Sequence, residues 1–151
     1  MTKRYGAKVA LKDFSYTFTP GIYGILGTNG AGKSTLMNLI TDNVRRDGGE
    51  ILFNGHEILK LGKEFRQAVG YMPQQQGMYD DFSARAFLRY MAADRIVFLT
   101  THIVSDIESI ARDVLLMKEG SIVAHGRPED LVAQVRGSSL EDVYMAYLGE
   151  D

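Results

Sequence analysis

The chain has 151 residues, with 17 basic and 19 acidic side chains and a net charge of −2. That length suffices for one domain with its own core, and the near balance of charge excludes a general attraction for nucleic acid or anionic lipid, so any phosphate binding must be local. The lack of cysteine excludes disulfides and thiolate metal sites, and the most apolar run, "RIVFLTTHIV", is far short of the ~20 residues of a membrane span.

In chain order, "KVALKDFSYTFTPG" alternates Val9, Leu11, Phe14, Tyr16 and Phe18 and closes on Pro20-Gly21, which predicts a strand. Ile22 to Leu26 reads as a short apolar strand. A helix is expected to begin near Lys33, because Leu36, Leu39 and Ile40 fall at i, i+3, i+4. "GEILFNG" predicts another strand, Val69 to Met72 a strand stopped by Pro73, and Ser83 to Ala93 a helix. Ile96 to Thr100 has the unbroken β-branched and aromatic character of a strand buried on both faces. Ser105 to Arg112 predicts a helix with a Ser105/Glu108 capping box. "VLLMKEGSIVAHG" predicts a hairpin turning at Glu119-Gly120, followed by helices over Pro128 to Val135 and Ser139 to Leu148. Strands alternating with helices imply an α/β fold, mostly parallel with a few antiparallel strands.

Gly27-Thr28-Asn29-Gly30-Ala31-Gly32-Lys33-Ser34 matches G-x-x-x-x-G-K-[ST] between a predicted strand and a predicted helix. Glycines let the backbone curl so that successive N–H groups point at phosphate oxygens, and the helix adds its positive N-terminal end. In this arrangement Lys33 reaches the β- and γ-phosphates and the Ser34 hydroxyl ligates Mg²⁺. His56 and His125 lie beside hairpin glycines and read as surface residues, with no second ligand at metal-binding spacing.

The wider loop, "GTNGAGKSTLMNLI", resembles that of the nucleotide-binding domain of ATP-binding cassette (ABC) transporters, most closely the ATPase subunits that pair with ABC-2-type permeases. Four other stretches occur in that family's order. "TKRYG" resembles its aromatic loop, which implies that Tyr5 stacks on adenine. "VGYMPQ" resembles its Q-loop, so Gln74 would touch Mg²⁺ or the attacking water. "FLTTHIVSDIE" resembles its switch region, with His102 on the γ-phosphate, and "VLLMKEGSIVAHGRPEDL" resembles the hairpin and helix that follow. The resemblance implies catalytic roles for His102 and Gln74. Nucleotide contacts fall to Tyr5, Gly27, Asn29, Gly30, Ala31, Gly32, Lys33, Ser34 and Thr35, and metal contacts to Ser34 and Gln74. It implies ATP and Mg²⁺ as cofactors, with a transmembrane permease and a second nucleotide-binding subunit as partners. The expected location is cytoplasmic, on the inner face of the membrane through the permease, with no nucleic acid bound and no direct insertion into the bilayer.

The family pattern breaks between Met91 and Ile96. "YMAADRIVFL" passes from the helix after the Q-loop directly to the strand before His102. A helical subdomain, an L-S-G-G-Q-like signature loop and the apolar Walker B strand ending in Asp-Glu are all missing. Residues 1–151 are therefore read as a single truncated cassette domain with an internal deletion near 92–95. The family's first antiparallel strand is also expected to be absent. The lost carboxylates would help hold Mg²⁺ and orient the attacking water, so the loss falls on catalysis more than on binding. Asp80, Asp81 and Asp106 do not end an apolar strand and are not expected to replace them. Two readings follow: an ATP-hydrolysing transporter subunit, or a truncated module that binds ATP without hydrolysing it. A small-molecule kinase would need an arginine-bearing lid, which Arg85, Arg89 and Arg95 do not form.

Overall fold

A computed structural model describes residues 1–69, 95–100 and 104–149. The chain opens with Lys3–Tyr5 (β1) and Lys8–Leu11 (β2), paired antiparallel. Gly21–Gly27 (β3) leads through a loop into helix Lys33–Ile40 (α1). A small hairpin, Leu52–Phe53 (β4) with His56–Glu57 (β5), precedes the short helices Ile58–Leu61 (α2) and Lys63–Ala68 (α3). Next come Ile96–Thr100 (β6), Val104–Ile110 (α4), and the hairpin of Asp113–Lys118 (β7) with Ser121–Gly126 (β8). Helices Pro128–Gln134 (α5) and Leu140–Leu148 (α6) follow.

The main sheet has the order β6-β3-β7-β8, with β6, β3 and β7 parallel and β8 antiparallel. This is the α/β architecture expected, with separate antiparallel hairpins attached. Side chains of β3 and β7 alternate between two apolar layers, as the period of two in a strand requires. Tyr23, Ile25, Leu115 and Met117 meet Leu36 and Leu39 of α1, together with Leu11 and Phe14. Leu26, Val114 and Leu116 meet Ile107, Leu131, Leu140, Val143 and Leu148 from α4, α5 and α6. Cover on both faces is what makes β3 and β7 read as nearly continuous apolar runs. Between them the helices leave so little room that a Cβ on Gly24 would lie 2.3 Å from Cγ2 of Ile107.

The helix near Lys33, the hairpin at Glu119-Gly120 and the two C-terminal helices lie where the residue pattern places them, to within a residue or two. The hairpin turn has φ of 49° at Glu119 and 79° at Gly120, the left-handed pair of a two-residue hairpin. His56 and His125 are exposed, as expected.

Five expectations need correction. The opening strand stops at Leu11. Phe14, Tyr16 and Phe18 still point inward, but Phe14 packs into the apolar core while Tyr16 and Phe18 join an aromatic cluster with Tyr23 and Phe98 instead of a strand ladder. A short antiparallel strand, β1, pairs with β2 at the start of the chain, where no such strand was expected. The strand in "GEILFNG" shrinks to two residues. β6 is half-buried, not buried on both faces, because it stands at the edge of the sheet formed by the described residues. Glu108 spends its carboxylate on a distant partner, accepting the Leu140 N–H at 3.1 Å at the start of α6. The predicted strand at Val69 to Met72, the helix at Ser83 to Ala93 and most of the break between Met91 and Ile96 lie outside the described residues.

The capping box in the C-terminal part belongs to Ser139 and Asp142. Asp142 accepts N–H groups of Ser138 and Ser139 and the Ser138 hydroxyl, and the Ser138 N–H bond foremost holds its carboxyl below the usual range. A carboxyl depressed on folding stabilises fully above its unfolded pKa of about 3.9, and that contribution is lost as pH falls through the lower folded value. Asp142→Asn should therefore lower Tm near neutral pH and remove part of the fall in Tm seen on acidification below about pH 4, measured by thermal melts across pH. The Gly24 contact gives a second test. Gly24→Ala should cost about 1–3 kcal/mol by overpacking, Ile107→Ala about 2–5 kcal/mol by cavity formation, and the double variant clearly less than the sum, as urea melts would record.

Candidate functional site

The loop between β3 and α1 is shaped by backbone packing. Gly32 has φ of 103°, a conformation that L side chains rarely adopt. A Cβ there would also lie 2.5 Å from the carbonyl oxygen of Ala10 in β2. From the other side, the Gly120 N–H of the β7–β8 turn donates to the Ala31 carbonyl at 3.0 Å, and the Lys12 N–H donates to the Gly120 carbonyl at 2.9 Å. Three segments far apart in sequence thus hold the loop from behind and leave its front open.

The front is the N-terminus of α1. Gly32 is its N-cap and supplies no side-chain acceptor, and the first turn carries no acidic residue. The first N–H groups of the helix are therefore left for an external acceptor, with the helix dipole adding to their pull on an anion. Lys33 folds back into the loop, where its Nζ donates to the carbonyls of Gly27 at 2.5 Å and Thr28 at 3.0 Å. Burial holds the Lys33 ammonium below its ordinary pKa. The Ser34 side chain is exposed and Thr35 half-buried.

These groups line a cleft of about 290 Å³ bounded by Tyr5, Lys8, Ala10, the loop residues Asn29 to Thr35, and Thr100. Of the residues singled out from sequence, Tyr5, Asn29, Gly30, Ala31, Gly32, Lys33, Ser34 and Thr35 meet in this one cleft. Gly27 sits behind it, buried, holding Lys33 by its carbonyl. Tyr5 ends β1 and is 48% exposed, and the Lys3 ammonium stands 5.3 Å from the centroid of its ring. Gln74 and His102 lie outside the described residues. Lys8 and Thr100 were not singled out. Thr100 had a usable signal: it ends a parallel strand, opposite Ile25 of β3, where α/β sheets collect their ligands.

The donor set suits a nucleoside polyphosphate: a glycine-built cradle of N–H groups, a lysine within it and an exposed aromatic ring at its rim. For a magnesium ion the described residues offer the Ser34 hydroxyl and no group of three or more His, Asp or Glu side chains. That suits a cation held chiefly by phosphate oxygens and water.

Comparison with known proteins agrees with this geometry. The sequence profile of the ABC transporter family matches residues 11–142. The chain belongs to the ABC transporter family. The ABC transporter ATP-binding protein YtrB of Bacillus subtilis is 42% identical over 84 residues, covering 55% of this chain and 28% of that protein. ATP-binding cassette sub-family A member 2 of Homo sapiens is 34% identical over 89 residues, covering 58% of this chain and 4% of that protein. The chain thus spans less than a third of either curated relative. A solved ATP-binding subunit of an ABC transporter superposes with a TM-score of 0.77 at 17% identity, over 97% of this chain and 96% of that one, which establishes the shared fold. The mostly parallel sheet with attached antiparallel hairpins is accordingly that of an ABC nucleotide-binding domain. Among the described residues no helix is long and apolar enough to cross a membrane.

The Gly32 contact predicts a sharp outcome. Gly32→Ala should destabilise the chain by about 1–3 kcal/mol through backbone strain alone and abolish any nucleotide-dependent rise in Tm. A variant that melts like the parent and responds equally to nucleotide would contradict this account of the loop.

Proposed function

We propose that this chain binds Mg-ATP in the cleft between Tyr5 and the Gly27–Thr35 loop, as the nucleotide-binding domain of an ABC transporter, and that by itself it turns ATP over little or not at all. The reading rests on one juxtaposition: an exposed aromatic ring, an uncapped helix N-terminus and a loop-bound lysine converge on a single cleft. Tyr5 stacks on the base, the loop N–H groups receive the phosphates, Lys33 turns from the Gly27 and Thr28 carbonyls to phosphate oxygens, and Ser34 faces Mg²⁺. By the family resemblance, Gln74 and His102 would complete the surroundings of the γ-phosphate.

The case against turnover is chemical. No carboxylate lines the cleft among the described residues, and the chain runs from the Gln74 region to β6 without an apolar strand ending in Asp-Glu. Phosphoryl transfer depends on positioned charge and an oriented water, and both would be deficient. We read residues 1–151 as one cassette domain shortened internally near 92–95. The partners that fit are a transmembrane permease, which would hold the chain at the inner membrane face, and a second nucleotide-binding subunit.

A thermal-melt titration of the chain with Mg-ATP tests the reading, with Lys33→Ala as control. A ligand specific to the native state should add about 2.7 kcal/mol of stability at a hundredfold excess over its Kd. An upward shift that vanishes in Lys33→Ala is expected, whereas a cooperative melt with no shift refutes ATP binding. Phosphate release well above background, lost in Lys33→Ala, would instead establish the hydrolysing subunit.

A further inference from the structure

Lys8 opens β2, three residues after Tyr5, and its exposed side chain lines the same cleft as Tyr5, Gly30 and Lys33. Its Nζ lies 3.8 Å from the point that a Cβ on Gly30 would occupy, so the ammonium arches over the apex of the loop. Lys33 is rooted within the loop, bound to the Gly27 and Thr28 carbonyls. The two cations therefore flank the loop from outside and inside. Lys3, one strand away, is paired with Asp47 at 3.3 Å. Among the described residues Lys8 has no ion pair and no acidic side chain lines the cleft. Two lysines around a cradle of N–H groups, with no carboxylate between them among the described residues, make a locally positive pocket on a chain of net charge −2.

We infer that Lys8 is a second phosphate-binding cation of this cleft, which closes over a nucleoside polyphosphate seated on the Gly27–Thr35 loop. The inference rests on the nucleotide-binding reading above and adds a residue that the glycine-loop motif does not contain. A lysine ammonium is a compact charge on a flexible stem with three rotatable donors. It can stand aside in solvent without a ligand and swing onto an anion held by the loop. Such a contact responds to phosphate charge and ignores the base, and because it is exposed it is screened by salt.

Isothermal titration of the full chain with Mg-ATP, Mg-ADP and adenosine tests this, using Lys8→Ala, Lys8→Glu, Lys8→Arg and Lys33→Ala. Lys8→Ala should raise the Kd for Mg-ATP and Mg-ADP ~5-fold, the upper range for an exposed charge pair. Lys8→Glu should raise it further, and Lys8→Arg should restore most of the affinity. Adenosine binding and the nucleotide-free Tm should not change, and the dependence of affinity on salt should become shallower in Lys8→Ala. Unaltered ATP affinity in the Ala and Glu variants overturns the inference, as does an equal loss for adenosine, which would place the effect at Tyr5. If the parent binds ATP and Lys33→Ala does not, while the Lys8 variants bind normally, only the role of Lys8 falls. If the parent binds no ATP, both readings fall together.

Discussion

The carbonyl oxygen of Ala10 stands where a side chain on either Gly32 or Gly120 would have to go, at 2.5 and 2.8 Å from their would-be Cβ positions. On this three-way approach the rest of the site depends. It presses β2, the loop after β3 and the β7–β8 turn together backbone to backbone, with the Gly120 N–H to Ala31 carbonyl bond closing the junction. Since no side chain intervenes, the loop has no slack through which to relax, and its left-handed Gly32 follows. The direction of α1, the root of Lys33 and the exposure of the first helical N–H groups are then fixed as a unit. Preorganisation of this kind lowers the ordering cost that a ligand would otherwise meet on binding.

The sheet carries that junction to the right place. β3 lies between two parallel neighbours and is packed on both faces, so the point where it ends is firmly located. β6 ends beside it, putting Thr100 in the cleft. The β1–β2 hairpin brings Tyr5 and Lys8 over the same opening. A central strand with well-filled faces thus supports a site built from loops and strand ends, the usual division between scaffold and binding surface in α/β folds.

Much of this was legible in the residues. The glycine loop and α1 are local features: eight residues contain the turn, the cradle and the start of the helix, and nothing distant is needed to read them. The same holds for Glu119-Gly120, where the turn chemistry is explicit. What escaped depended on partners elsewhere in the chain. The alternation through Phe18 truly marks an inward face, yet pairing ends at Leu11, and beyond it Tyr16 packs on Tyr23 and Phe18 on Tyr23 and Phe98. Glu108 sits at capping-box spacing but accepts from Leu140, 32 residues away. The helices α2 and α3 were missed because Gly62, with φ of 52°, splits them into pieces too short for a clear helical period. Lys8 gave no signal at all, since an exposed lysine looks the same at a cleft as anywhere else on a surface.

The hold of Lys33 on the Gly27 and Thr28 carbonyls bears on how the loop would take an anion. The first N–H groups of α1 are open to an anion from the start, whereas Lys33 reaches one only by exchanging the Gly27 and Thr28 carbonyls for the anion's oxygens. A monatomic anion cannot spread its contacts over the lysine and the whole N–H cradle at once. A polyphosphate can, because it offers several oxygens to the lysine and the loop together. The carbonyl tether thus favours, on physical grounds, a ligand of high charge and denticity at this loop.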